Sequence, residues 1–298
     1  MKRVLLIDSN NLLHRVYWVS KNRATNTSVY YLFLNSVKKY CEMFDPTDIY
    51  CVWDKRLLNK PNFRNELSDG KYKETRDSER NNEVCSYAET TSLFVEQLGV
   101  RNIYPGCLEA DDLIYWLSSS YYNDSKKMIV SVDKDLLQLV DNNTTVYSPI
   151  KDILITEGNF QAINGVERKD FVNMKALIGD KSDNINGIPR CGLKTVKKIL
   201  KSGDIKSSLT DEHYKIFNHN IKLVDLSKGI QFHPEEEGIY YEQVKLLEKS
   251  VIVDFDKFKE LCVEHDLQQI INNINIWKAV FNKNEFVNRL TKFFEKAK

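Results

Sequence analysis

The chain has 298 residues, 42% of them hydrophobic and 29% charged, which is ordinary for a globular protein and long enough for a main domain plus a smaller one. A formal net charge of +1 excludes a strongly basic protein, so any nucleic-acid partner must be met by local basic patches. The six cysteines, at 41, 51, 85, 107, 191 and 262, form no C-x-x-C pair and read as reduced thiols of a cytosolic protein. No run is apolar enough to span a membrane, and Asp8, Asn10 and Asn11 cut the Val4–Ile7 run too short for a signal peptide.

Val4–Ile7 reads as a buried strand, and Ser28–Phe44 as a helix with Val29, Leu32, Phe33, Ser36, Val37 and Tyr40 on one face. Strand Ile49–Trp53 follows. Residues 55–82 then lose apolar periodicity and are dense in Lys, Arg, Asn, Asp and Glu, with Phe63, Leu67 and Tyr72 as sizeable anchors after Leu58. A polar segment of that length inside a compact domain is usually functional or mobile. Helix Val84–Leu98, strand Arg101–Tyr104, helix Ala110–Tyr121 and strand Met128–Val132 resume the alternation. Thr145–Ser148 and Asp152–Ile155 read as a hairpin at the sheet edge. After about Glu157 the pattern turns helical. The expectation is an α/β fold over 1–160, its mostly parallel sheet flanked by helices, and a helical region over 161–298.

Acidic residues recur where the apolar runs end. Asp8, Asp54, Asp133 and Asp135 follow strands; Glu109, Asp111 and Asp112 open a helix; Asp180 and Asp183 follow helix Phe171–Ile178. Ligands of open α/β sheets bind beyond the carboxyl ends of the strands, so these groups would gather on one edge. Each anion raises the cost of ionising its neighbour. Hard oxygen ligands without His or Cys suit Mg²⁺ or Mn²⁺, which points to metal-dependent phosphoryl chemistry. Independent helix caps would explain Asp111, Asp112, Asp133 or Asp135 singly, but need not all fall at strand ends.

The segment from Gly179 to Val196 has the pattern of two helices joined by a tight Gly-containing turn, whose second helix N-terminus suits a phosphate. Between Arg190 and Lys201 every charged residue is basic: Arg190, Lys194, Lys197, Lys198 and Lys201. That is a footprint for a phosphodiester backbone. The five histidines (14, 213, 219, 233, 265) have no metal-ligand spacing and read as structural or exposed. Phe258, Leu261, Cys262 and His265 form the packed face of a helix capped by Asp254.

Ile7-Asp8, Trp53-Asp54, Glu109-Ala110-Asp111-Asp112, Ser131-Val132-Asp133-Lys134-Asp135 and Gly179-Asp180 to Asn184 occur in that order around a basic, arch-like insertion. From Val4 to about Leu200 the chain resembles the structure-specific 5′-nucleases, the flap endonuclease and 5′→3′ exonuclease family. The likeness is greatest to phage replication members and to the 5′-nuclease domain of bacterial DNA polymerase I. The resemblance implies a PIN-like fold with a helix-hairpin-helix-type DNA-binding element at about 171–201. It implies that Asp8, Asp54, Glu109, Asp111 and Asp112 surround one Mg²⁺ and that Asp133, Asp135, Asp180 and Asp183 hold a second, with Mn²⁺ able to substitute. Tyr72-Lys73-Glu74-Thr75-Arg76 matches the family's Tyr-Lys-x-x-Arg element, which makes Lys73 and Arg76 catalytic and Tyr72 a stacking partner for a base. Arg15 matches a family arginine seven residues after the first Asp. In the family's Gly-x-x-Gly-x-Gly hairpin the middle Gly is here Arg190, which puts a K⁺ and phosphate site in question.

The implied activity is removal of RNA primers or flaps in replication by a cytoplasmic monomer, in the host cytoplasm if phage-encoded. Its partners would be DNA or RNA–DNA hybrid with a free 5′ end, and a single-strand-binding protein, clamp or polymerase. A haloacid-dehalogenase-like phosphatase wants D-x-D after the first strand, where Ser9-Asn10 follow Asp8. A PIN-like ribonuclease would be shorter and lack the arch and lysine-bearing hairpin. A non-catalytic DNA-binding replication protein would have lost carboxylates.

Overall fold

The computed structural model describes residues 1–22, 28–74, 78–250 and 252–282. Strand β1 (Arg3–Asp8) leads into helices α1 (Ser9–Asn22) and α2 (Val29–Phe44), then β2 (Asp48–Val52), α3 (Phe63–Leu67), α4 (Ser78–Cys85), α5 (Ala88–Gln97) and β3 (Arg101–Ile103). Helix α6 (Ala110–Trp116), β4 (Lys126–Val130), β5 (Thr144–Ser148) and β6 (Ile153–Ile155) complete the main sheet. Its order is β3-β2-β1-β4-β5-β6, parallel except for the β5–β6 pair.

Central β1 is apolar without alternation because both its faces are covered. Leu5 and Ile7 point into a core with α1, α2 and α5, whereas Val4 and Leu6 point to α6 and the residues after β4. The chain order reverses at β1, which has β2 on one side and β4 on the other. Ile7 is level with both Cys51 and Val130, and Asp8 with Val52. That register brings the residues just beyond β1, β2 and β4 to one crevice, where open α/β sheets bind ligands.

Helices α7 (Glu157–Asn164) and α8 (Phe171–Ile178) are followed by a two-strand ladder, β7 (Gly179–Asp180) and β8 (Ile185–Asn186). Here the backbones pass so closely that a Cβ on Gly187 would lie 1.9 Å from the Ile178 carbonyl oxygen, so only glycine fits. Helices α9 (Leu193–Ser202) and α10 (Asp211–Val224) pack with α8 around Val196, Ile199 and Phe217. Helices α11 (Ser227–Phe232) and α12 (Glu235–Ser250) return Leu226, Tyr240 and Val244 to the core on the α6 side. Helices α13 (Phe255–Glu264), α14 (Gln268–Asn272) and α15 (Ile274–Phe281) close the opposite face through Phe258, Cys262, Ile270 and Trp277. Asp254 caps α13 by accepting from the Lys257 amide, as expected.

Two expected elements differ. The helix expected over 84–98 is broken at Ser86-Tyr87, and the turn lets the Tyr87 ring meet Tyr17 and Tyr30. The helix expected over 110–121 ends in a wider π-helical turn over Leu117–Tyr121. None of the six cysteines is in a disulfide.

Candidate active site

Asp8, Asp54, Glu109, Asp111 and Asp133 line one cavity of about 570 Å³ at the carboxyl edge, with Lys73, Arg56, His14 and Cys85 on its walls. Local turns hold each carboxylate. Asp8 ends β1; its Oδ1 accepts from the Asn11 amide (3.1 Å) and its Oδ2 from the Ser131 hydroxyl (2.7 Å). The same Ser131 oxygen accepts from the Asp133 amide at 2.9 Å, so one hydroxyl ties together the ends of two strands. Asp54 receives the Ala110 amide at the start of α6 (2.9 Å), while its own amide donates to Asn10.

These anions stand where water cannot fully screen them. Burial, reinforced by the Asp133 and Asp54 charges and only partly opposed by the Ser131 hydrogen bond, pushes the Asp8 carboxyl up to about 7. Burial and the neighbouring Asp133 and Asp8 drive Asp111 well above the carboxylate range; burial and Glu109 raise Asp54. Glu109 goes the other way. Its burial alone would raise it, but Lys73 and Arg64 outweigh that and hold it at about 2. Lys73 Nζ lies 2.7 Å from Glu109 Oε1 and the Tyr72 hydroxyl donates to Oε2 at 3.0 Å. Crowded carboxylate oxygens of this kind fit a hard divalent cation.

The other expected ligands sit differently. Asp112 points away from the cavity: both its oxygens accept from Arg64 at 2.7 Å, and one also accepts the Glu109 amide. One residue along a helix turns a side chain by about 100°, which separates Asp112 from Asp111. Asp135 and Asp180 both contact the buried ammonium of Lys175, the latter at 2.8 Å. Burial would raise Asp180, but Lys175 and Ser182 bring it down to about 2. Asp183 Oδ2 accepts from the Tyr72 hydroxyl at 3.2 Å. Asp133 also borders the second cavity, which Lys175 and Asp180 line.

Tyr72 corrects its expected role. Its ring is buried with Ala176, Leu177 and Ile185, and its hydroxyl joins Glu109 to Asp183, so in this conformation it cannot stack on a base. The Lys73 amide donates to the Asp183 carbonyl and Asn184 to that of Lys71, so the foot of the arch is docked on the β7–β8 turn. Arg76 lies outside the described residues. Arg15 donates to the Tyr40 hydroxyl (2.7 Å) and does not line the carboxylate cavity. Arg190 is exposed at φ 60°, the left-handed geometry a glycine would take, so the hairpin turn persists without one. Lys194, Lys197 and Lys198 are exposed along α9, whose Val196 and Ile199 face inward.

Sequence reasoning missed Arg64 and Lys175. Lys175 is a lone cation within the mainly apolar run Phe171–Ile178, which was an available signal; Arg64 lies between Phe63 and Asn65 in the polar 55–82 segment and carries no such mark. It also missed Ser131, Asn10 and Asn11, whose turn-forming roles appear once the strand ends are side by side.

Residues 3–168 match the family model described as the 5′-3′ exonuclease, N-terminal resolvase-like domain. The chain belongs to the 5′-3′ exonuclease family. It is 30% identical over 208 residues to a 5′-3′ exonuclease of Buchnera aphidicola, covering 67% of this chain and 70% of that one. With a 5′-3′ exonuclease of Mycoplasmopsis pulmonis it shares 30% over 277 residues, covering 92% and 87%. Among solved structures, the bacteriophage T5 flap endonuclease in a pseudo-enzyme-product complex with DNA and metal ions aligns at TM-score 0.67. The identity there is 16%, over 83% of this chain and all of that one, a likeness of fold. The family's fold is the expected PIN-like one, its parallel sheet flanked by helices, and the chain is accordingly a 5′ nuclease. No helix among the described residues is long and apolar enough to cross a membrane.

Proposed function

We propose that this 5′ nuclease is Mg²⁺-dependent and hydrolyses phosphodiester bonds at free 5′ ends, flaps and RNA primers of replicating DNA in the cytoplasm. The observation that carries the reading is the convergence of Asp8, Asp54, Glu109, Asp111 and Asp133 on one cavity with the Lys73 ammonium inside it. These carboxylates would hold Mg²⁺, or Mn²⁺ in its place, which when bound supplies an activated water and neutralises phosphate charge. A second ion would lie by Asp133, Asp135, Asp180 and Asp183, where Lys175 now supplies positive charge.

The chain's own residues supply the positioning. Arg64 and Tyr72 fix Glu109 from behind, and Ser131 fixes Asp8. Lys73 stands where it can offset charge developing on the scissile phosphate. Arg190, Lys194, Lys197 and Lys198 present exposed charge for a duplex backbone remote from the reacting bond.

Cleavage of an end-labelled 5′-flap duplex tests the reading. The wild-type protein should cut near the flap base in Mg²⁺, stop in EDTA, and recover when Mg²⁺ is restored. Asp111→Asn should bind the duplex within a few-fold of wild type yet not cut. Cleavage that survives EDTA, or a fully active Asp111→Asn, would remove the metal assignment.

A further inference from the structure

A second group of ligand atoms lies outside the carboxylate cavity, at the corner between α11 and α12. Cys107 Sγ stands 3.5 Å from His233 Nδ1, and the same nitrogen stands 3.3 Å from Glu235 Oε1. All three ligand atoms lie within 4.8 Å of one another. Zinc bonds of about 2.3 Å to sulfur and about 2.0–2.1 Å to nitrogen or oxygen, opened to tetrahedral angles, give an S···N edge of about 3.6 Å and an N···O edge of about 3.3 Å. The observed spacings match those edges.

We propose that Cys107, His233 and Glu235 form a binding site for a borderline-soft divalent cation of the Zn²⁺ kind. Thiolate, imidazole and carboxylate together favour such an ion over Mg²⁺, which the five clustered carboxylates favour. The site is held from outside. The buried Glu236 carboxylate accepts the Gly106 amide at 2.8 Å and the Cys107 amide at 2.6 Å, which fixes the loop before Glu109. The His233 amide donates to the Gly229 carbonyl, and Phe63, stacked on Phe232 at 4.8 Å, lies against the imidazole. The fourth position would be taken by water. Coordination releases the Cys107 thiol proton to solvent. The ion would then tie the loop leading to Glu109 onto the α11–α12 corner, beside the residues leading to Arg64.

Lys60 shapes the test, because its Nζ sits 3.3 Å from the same Glu235 oxygen and competes with a metal for it. The probe is Co²⁺, titrated into the full chain after EDTA treatment and followed by absorption. A thiolate ligand gives a near-ultraviolet charge-transfer band that oxygen ligands do not, and one equivalent of Zn²⁺ should displace it. Cys107→Ser should abolish the band, and His233→Gln should weaken Co²⁺ binding by about tenfold or more. Lys60→Met should tighten it several-fold. Cys85→Ser is the control, since Cys85 lines the carboxylate cavity, and it should leave the band intact. No charge-transfer band, a band that persists in Cys107→Ser, or one that disappears in Cys85→Ser would each overturn the proposal.

Discussion

Arg64 closes on Asp112 with two parallel hydrogen bonds of 2.7 Å, both side chains almost wholly buried, and its Nε donates to the Leu223 carbonyl at 2.9 Å. Asp111 and Asp112 are neighbours in sequence but do opposite work: one faces the cavity, the other anchors the foot of the arch to α6 and α10. Removing one partner of a buried, hydrogen-bonded pair leaves a charge uncompensated and costs about 3–5 kcal/mol. Asp112→Asn should therefore lower unfolding stability in EDTA by that order. Asp111→Asn should raise it, because it relieves repulsion with Asp8 and Asp133. Urea unfolding of the two variants checks this, and equal midpoints would contradict the division of labour.

The metal-free protein should lose stability as pH rises through the range where Asp8 titrates. The folded carboxyl keeps its proton up to about pH 7, whereas an ordinary one releases it near 3.8. Between those values the fold binds more protons than the unfolded chain, so stability falls with rising pH and the penalty is complete above about 7. Asp8→Asn removes that term. In EDTA its melting temperature should climb relative to wild type from about pH 4 to about pH 7, the underlying difference in unfolding free energy being on the order of a few kcal/mol. Saturating Mg²⁺ should flatten the wild-type slope. A difference between the two proteins that does not change with pH would refute the burial of Asp8.

Some of this was legible in the sequence and some was not, for definable reasons. Strand-ending acids such as Asp8 and Asp54 are readable because apolar runs mark the strands, and a parallel sheet aligns their carboxyl ends. What Asp112 and Tyr72 do depends on Arg64, 48 residues from Asp112, and on Asp183, 111 residues from Tyr72; no local pattern encodes such pairings. The Tyr87 break failed to show because Ser86-Tyr87 carries no Gly or Pro; the packing of its ring, not local propensity, is what fits the turn. His233 looked idle because its neighbour in space, Cys107, lies 126 residues away.

Lys175 now lies between Asp135 and Asp180 and should compete with divalent cations for them. Lys175→Met leaves two carboxylates facing each other, so its melting temperature in EDTA should drop below wild type. Added Mn²⁺ should then raise it by more than it raises wild type, because binding to the folded state alone is stabilising and the competing ammonium is gone. Differential scanning fluorimetry in matched buffers reads both changes. A smaller Mn²⁺ increment in the variant would show that Lys175 supports the ligands and does not compete for them.

Arg190 combines a strained backbone with an exposed charge, and the two should separate on substitution. An L-residue in the left-handed region costs about 1–2 kcal/mol, which glycine avoids. Arg190→Gly should therefore stabilise the fold by roughly 0.5–1 kcal/mol after the greater unfolded-state freedom of glycine is subtracted. If the guanidinium meets a phosphate, the same change should reduce the slope of log affinity against log salt by about one on duplex DNA. Replacing Lys194, Lys197 and Lys198 together by Ala should reduce that slope by about two to three, with single-turnover cleavage at saturating DNA little changed. Fluorescence anisotropy across a salt series measures both slopes. A steady slope in the triple variant would leave α9 a merely solvated face, and a steady slope with raised stability in Arg190→Gly would confine Arg190 to the turn.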